Sequence, residues 1–414
     1  MKSDNKRKTE RRVVVTGLGV VSSLGIGWQE FWKNLIAGKS GISRVEAFDT
    51  SGYDRHFAGE VKNFDPTQFM SKQKAQRIGR ASQMAIAASK LALKDARLKL
   101  NDKIRKRTAV CIGTTTGEIG LLEKFNDGIM IEGKNLISKI TLSVYPASSL
   151  SANIATEFNI SGKNIVFATA CASGNYAVGQ AFDLIRSKRC DYALAGGADG
   201  FSRIVFTGFA RMYSIAPEKC QPFDKNRKGM IPGEGAGIVI LESLENAQRR
   251  KAKIYSEILG YGLSSDAYHM TNPSTGGIIK AVKKALETAG INESQVDYIS
   301  AHGTATLEND IAECQAINRV FGKITKTIPI SSIKSMLGHT MGAAAALETI
   351  ACCLAIQNSE VPPTINYREK DPYCDINCVP NKGRKHKVRL ALNNSQAFGG
   401  NNACVIFSAK SNEK

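Results

Sequence analysis

The sequence predicts an α/β fold made of two similar halves, and three observations support this. Short stretches rich in β-branched residues alternate with amphipathic stretches of helix length. That rhythm runs twice, once before and once after residue 254. The 414 residues exceed what one small core needs, while 43% hydrophobic and 22% charged residues are ordinary for a folded globular chain.

In chain order, RRVVVTGLGVVSS reads as a first buried strand. A helix near Trp28 to Ala37, a long helix near Ala81 to Ala96 and the strand TAVCIGTTTG follow. KNIVFATACASGNYAVGQAFDLIRSKRCDYALAGGAD then reads as a buried strand, a sharp turn at Ala170, Cys171 and Ala172, and a helix that opens on small residues. Beyond residue 254 the strand KIYSEILGYGLSS, the helix GIIKAVKKALETAG, the strand VDYISAHGT and the helix NDIAECQAINRVF repeat the pattern. The expected units are residues 1–253 and 254–414, and no low-complexity linker lets them move freely.

Composition narrows the functional classes. The start, MKSDNKRKTERR before a run of valines, superficially resembles a secretory leader, but glycines and serines break the run and no A-x-A site follows. A basic tail entering a first strand is expected instead. No run approaches the roughly 20 uninterrupted apolar residues of a membrane span, so none is expected. Ten cysteines lack the spacing of a disulfide framework, which predicts reduced thiols in a cytoplasmic setting, most of them inert in the core. Cys374 and Cys378 invite a metal, yet no His or Cys cluster completes a four-ligand set, so no metal is expected.

The formal charge of +19 favours an acidic partner through long-range steering. Nucleic acid is one candidate. No zinc-finger or RNP motif accompanies the charge, and the aromatic residues, 7% of the chain, do not interleave with the basic clusters. An acidic carrier protein fits the charge equally well, with Lys72, Lys74, Arg77 and Arg80 as a candidate docking cluster. A solvated basic face is the plain alternative.

Chemistry concentrates at three residues. Cys171 falls at the start of a helix, where the dipole would lower a thiol pKa and backbone N–H groups can hold an oxyanion. His302 lies in SAHGTATLENDIAE, after a strand and before an acidic helix start. His339 lies in SSIKSMLGHTMGAAAALE, where Gly338 is expected to open a helix of alanines that can approach another backbone closely. A helix N-terminus disfavours imidazolium, so His339 should be neutral and donate one hydrogen bond. Each residue alone could be core packing. Together, in similar strand-to-turn contexts and in a chain with five histidines, they point to a site.

Around these residues the sequence resembles a β-ketoacyl-acyl-carrier-protein synthase of the type II elongation class. The resemblance covers nearly the whole chain. Its motifs are VVVTGLGVVSSLG, TACASG, PFDKNRKGMIPGEGAGIVILE, SSDAYHMT, AHGTAT, the run from Lys334 to His339, and FGGNN, in that order. The resemblance implies a thiolase-like fold, whose duplicated halves form a layered α-β-α-β-α arrangement, and a homodimer built through the central sheets. It implies decarboxylative condensation, with the acyl chain held on Cys171 and the malonyl thioester oxygen held by His302 and His339. Lys334 and Glu348 match a pair that organises the site. A lysine beside two histidines also discourages their protonation. Asp310 and Glu313 match supporting acidic positions, and their helix-start spacing equally suits the helix N-terminus. Thr304 and Thr306 match contacts to a phosphopantetheine arm carried by the substrate, Phe398 matches a gate, and the backbone N–H groups of Cys171 and Phe398 match an oxyanion hole. No cofactor is implied.

Departures from the family pattern are Gln396 and Ala397, where a phenylalanine and a glycine are usual, Gln221 for a usual arginine, and Lys228 for a usual aspartate. They leave the trio intact and open a specialised fatty-acid, polyene or polyketide pathway. A thiolase would use a second cysteine where this chain has a second histidine motif. A non-catalytic partner subunit would lack Cys171.

Overall fold

Strand β1 (Val13–Ser22) is buried at every position, as expected of a β-branched strand covered on both faces. Its glycines serve close packing. A Cβ on Gly17 or Gly19 would stand 2.3 Å from the carbonyl oxygen of Ala92 or 1.8 Å from that of Ala88, both on helix α1 (Arg80–Asp95). The computed structural model describes residues 10–130, Gly133 and 144–409, so most of the basic tail lies outside the described residues.

The remaining strands of the main sheet are β2 (Thr108–Gly113), β3 (Asn164–Phe167), β4 (Tyr192–Asp199), β5 (Gly235–Ser243), β6 (Ser256–Ser265), β7 (Tyr298–Ser300), β8 (Ile330–Ser331), β9 (Leu390–Gln396) and β10 (Asn401–Ser408). Their spatial order is β8-β7-β9-β10-β6-β1-β5-β4-β2-β3, with the short strand Gly25–Ile26 paired beside β1. Numbering the five strands of each half from one to five, both halves show the order 3-2-4-5-1. Directions repeat as well: strand 5 is antiparallel to 1 and 4, while 4, 2 and 3 run parallel. The halves meet where β1 pairs with β6 antiparallel. The chain is thus a duplication joined strand 1 to strand 1.

Period-two alternation sorts the side chains into layers. Ala109 and Cys111 of β2 face one core with Ala391, Val405 and Phe407 of the second half. That core also holds helices α3 (Ser173–Arg186) and α6 (Ala344–Asn358). The alternate residues Val110 and Ile112 face an outer core with α1 and α2 (Ser149–Phe158). Leu392, Cys404 and Ile406 face the other outer core with α4 (Thr275–Ala289) and α5 (Leu307–Phe321). This is the α-β-α-β-α arrangement of a thiolase-like fold, with α3 and α6 as its middle layer.

Among the described residues, one stretch, Met341–Asn358, is apolar and long enough to cross a membrane, and 89% of it is buried in protein. It is the central helix α6 with its preceding turn. The ten cysteines are all free and buried.

Candidate active site

Both central helices begin in the same way. Cys171 is the middle residue of a 3-10 turn, Ala170–Ala172, that leads directly into α3, and Met341–Ala343 forms the matching turn before α6. Ala170 at φ 48° and Met341 at φ 52° take the left-handed conformation that non-glycine residues rarely adopt, so each turn is held by its surroundings. The two turns pack against each other. Gly342 occupies in the second half the position that Cys171 holds in the first, and a Cβ there would stand 2.5 Å from Thr114 Cα and 2.7 Å from Asp199 Oδ2.

His339 sits two residues before that turn. Gly338 does not open the alanine helix, as the sequence suggested; at φ 73° it ends the short helix Lys334–Leu337, and His339 follows in extended backbone. Ile231 and Gly233 pin it there: His339 N–H donates to the Ile231 carbonyl at 2.6 Å, and Gly233 N–H donates to the His339 carbonyl at 2.9 Å. The MIPGEG segment is therefore the strap that fixes this histidine. The Met341 N–H donates to His339 Nδ1 at 3.2 Å. That bond leaves the ring proton on Nε2, so a neutral His339 presents a donor.

His302 follows β7, and Glu313 on α5 shapes its loop. The carboxylate accepts from the N–H groups of His302 and Gly303, both at 2.8 Å, and from Asn394 Nδ2 at 2.7 Å. Asp310 accepts from the N–H groups of Phe223 and Ala305 and lies 3.6 Å from Arg227. Both carboxyls are fully buried, and burial raises their pKa. They are loop anchors, which is more than the helix-start role their spacing allowed. The His302 and His339 rings stand 5.4 Å apart, edge to face.

Beneath them Lys334 Nζ donates to the His302 carbonyl at 2.6 Å and to Glu348 Oε1. Burial, then the Lys334 charge, holds both histidines well below their ordinary pKa, so both are neutral at pH 7. Burial raises the Glu348 carboxyl to about 7 against the opposing pull of Lys334. For Cys171 the sequence expectation fails. Burial pushes the thiol up to about 12, outweighing the nearby Lys334 charge, so burial favours the protonated form.

Cys171, His302 and His339 all line one cavity of about 510 Å³. Thr304 and Thr306 line it too, their hydroxyls 2.9 Å apart. At the mouth, Phe398 is 38% exposed and its ring lies 5.9 Å from that of Phe209. Ala397 is extended at φ −144°, where its Cβ costs nothing, and the turn after it depends on Gly399 and Gly400 at φ 80° and 75°. Gln221 bonds the Asn366 carbonyl, and Lys228 is exposed.

The basic cluster is partly consumed. Lys74 pairs with Glu157 at 2.7 Å and Arg80 with Glu234 at 2.7 Å, leaving Lys72 and Arg77 as the exposed pair on their helix. Cys374 and Cys378 are buried among apolar neighbours, and no three candidate ligands gather as a metal would need among the described residues.

Sequence reasoning missed Asp199. At the end of β4 it accepts from Thr114 Oγ1 at 2.6 Å and from the N–H groups of Thr115 and Gly342, both at 2.7 Å. It clamps the turn below His339. Nothing in the segment ALAGGAD distinguishes it, because its partners come from two other parts of the chain.

Comparison with known proteins gives a consistent picture. Residues 10–247 match the family model described as "Beta-ketoacyl synthase, N-terminal domain", and residues 255–368 match its C-terminal domain. The chain is 38% identical over 408 residues to "3-oxoacyl-[acyl-carrier-protein] synthase 2" of Coxiella burnetii, covering 96% of this chain and 99% of that one. Among solved structures, "The ishigamide ketosynthase/chain length factor" superposes with a TM-score of 0.94 at 43% identity, covering 97% of this chain and 100% of that one. A type II polyketide ketosynthase, solved bound to a hexaketide and in complex with its acyl-carrier protein, gives 0.90 at 35% identity with the same coverage.

Proposed function

The chain belongs to the beta-ketoacyl synthase family, and on that premise we propose how its residues divide the reaction. The reaction is the decarboxylative condensation of malonyl-acyl-carrier-protein with an acyl chain, giving 3-oxoacyl-acyl-carrier-protein in fatty-acid or polyketide-like elongation. The observation that carries the assignment of roles is the meeting of Cys171, His302 and His339 in one cavity with both imidazoles neutral.

Cys171 Sγ attacks the incoming acyl thioester, the carrier thiol leaves with a proton, and the acyl group stays on Cys171. The thiol is protonated at rest, so its proton departs as the bond forms. Backbone N–H groups of Cys171 and Phe398 hold the oxyanion at this step. The malonyl thioester then enters along Thr304 and Thr306, with its carbonyl oxygen between His302 and His339. Breaking the bond to the carboxylate releases CO2 and leaves the electron pair as an enolate, which the two neutral imidazoles stabilise as donors. His339 does so through Nε2–H. The enolate carbon attacks the acyl carbonyl, the tetrahedral intermediate collapses, and Cys171 leaves and recovers a proton. Lys334 and Glu348 position His302 and keep it neutral.

The two units, 1–253 and 254–414, supply Cys171 and both histidines respectively. An acidic carrier protein is the proposed partner for Lys72 and Arg77. A second copy of the chain is the proposed neighbour of β3, whose outer edge has no strand beside it among the described residues and whose last three residues are only half-buried. With ten free thiols, the cytoplasm is the proposed setting.

Intact mass after mixing with acyl-carrier-protein thioesters tests the central role. The wild type gains one acyl group and Cys171→Ala gains none. An acyl adduct on the alanine variant at the wild-type rate would remove Cys171 from the mechanism.

A further inference from the structure

Gln396 is the last residue of β9, 2% exposed, and it lines the cavity that holds Cys171. Among the described residues, neither its side-chain nitrogen nor its side-chain oxygen has a hydrogen-bond partner. Nearby buried polar groups of the same cavity are accounted for. The hydroxyls of Thr304 and Thr306 bond each other, Asn309 donates to Asp310, and His339 Nδ1 accepts from Met341. His302 Nδ1 also lacks a partner, and that ring already has a role at the malonyl oxygen. Gln396 has none in the reaction as derived.

Its position says which part of a substrate it meets. β9 packs against the 3-10 turn that carries Cys171, and two residues further on comes Phe398 at the mouth. The histidines attend the malonyl group and the two threonines the carrier arm, so the amide is left for the acyl chain on Cys171, close to its thioester. The walls around that chain include Phe209, Met212, Met230 and Met270, which offer a hydrocarbon contact but no hydrogen bond of the kind an amide requires. An amide buried among such walls stays without a partner when a plain alkyl chain fills the site, and gains one when the chain carries oxygen.

Resting on the reading of Cys171 as the acyl carrier, we propose that Gln396 is a specificity-determining residue that selects acyl chains bearing an oxygen substituent near the thioester. Its N–H group donates to a keto or hydroxyl oxygen, and its carbonyl accepts from a hydroxyl. The substrate so recognised is the product of an earlier condensation, either unreduced or reduced once to the alcohol. A chain reduced fully to the alkane is the disfavoured one.

The test uses N-acetylcysteamine thioesters of the saturated, 3-oxo and 3-hydroxy acids, matched at six, eight and ten carbons, with loading onto Cys171 followed by intact mass. The expected result is loading of one or both oxygenated chains at least about tenfold faster than the saturated chain of equal length, the worth of one hydrogen bond to a buried amide. The 3-oxo and 3-hydroxy arms tell which oxygen is read. Gln396→Met, close in shape but without donor or acceptor, should bring the ratio to near one. Gln396→Leu repeats the comparison with a second apolar side chain. Because the readout is a ratio within each variant, a general loss of loading cancels.

Equal loading of oxygenated and saturated chains by the wild type, as when water satisfies the amide, overturns the inference. So does a preference that persists in Gln396→Met. No loading by any thioester or by the carrier-bound substrates would instead remove the role of Cys171 on which the inference rests, and the inference with it.

Discussion

Replacing Lys334 by Met removes a charge that is 2% exposed and faces a carboxyl that is 1% exposed. Breaking one side of a buried pair costs about 3–5 kcal/mol. The structure adds a pH signature to that figure. With Lys334 present, the Glu348 carboxyl sits at about 7 in the folded chain, above its ordinary 4.5. A raised carboxyl binds a proton more readily folded than unfolded, so stability falls as pH rises from 4.5 and levels off once the folded group ionises near 7. Without the lysine the folded value moves higher, and stability keeps falling above pH 7 by about 1.4 kcal/mol per pH unit. Denaturant unfolding at pH 8, 8.5 and 9 should therefore show a slope in Lys334→Met that the wild type, already levelled off there, lacks. Glu348→Gln in the Lys334→Met background should abolish it. Malonyl decarboxylation in Lys334→Met should also fail at a higher pH than in the wild type, because both histidines lose the charge that opposes their protonation. A variant with flat stability above pH 7 and an unmoved acid limb would refute the view that this pair governs the site's electrostatics.

His302→Ala and His339→Ala should each slow malonyl decarboxylation by about 10²–10³ and acyl loading far less, measured as CO2 release and as acyl mass on Cys171; equal small effects on both would contradict the assignment. Charge reversal at Lys72 and Arg77 should raise KM for carrier-bound substrate and flatten its salt dependence, with N-acetylcysteamine thioesters unaffected, while the already paired Lys74 and Arg80 should contribute less. The double change Gln396→Phe with Ala397→Gly should shift the acyl-length profile of loading, since an extended Ala397 now stiffens a turn that glycine would loosen; an unchanged profile would make both residues neutral.

Much of this was legible in the chain's text because local rules set it. The long helix expected near Ala81 to Ala96 is Arg80–Asp95, and the helix expected near Trp28 to Ala37 is Trp28–Ile36. Cys171 and His302 stood out because each follows a strand at a turn of small residues, a context that reads from sequence; His339, expected in the same context, follows the short helix Lys334–Leu337. What did not read was anything set by segments far apart in the chain. Asp199 draws partners from Thr114 and Gly342, and no spacing encodes that meeting. The thiol pKa was misjudged because a helix end is visible in sequence while complete burial is not, and burial dominates. Gly338 misled because a glycine before a run of alanines can end one helix as readily as it precedes another; here it does the former.

The shared middle layer makes each half the other's cover. α3 and α6 lie in one core, each covered by its own half's strands on one side and by the other half on the other. A half expressed alone, cut between Arg250 and Ile254, would bare an apolar helix face and should self-associate rather than stay a monomer. The two turns at the centre of that layer share one shape and divide the labour: one carries Cys171 at its middle, while the other has Gly342 there and His339 two residues before it.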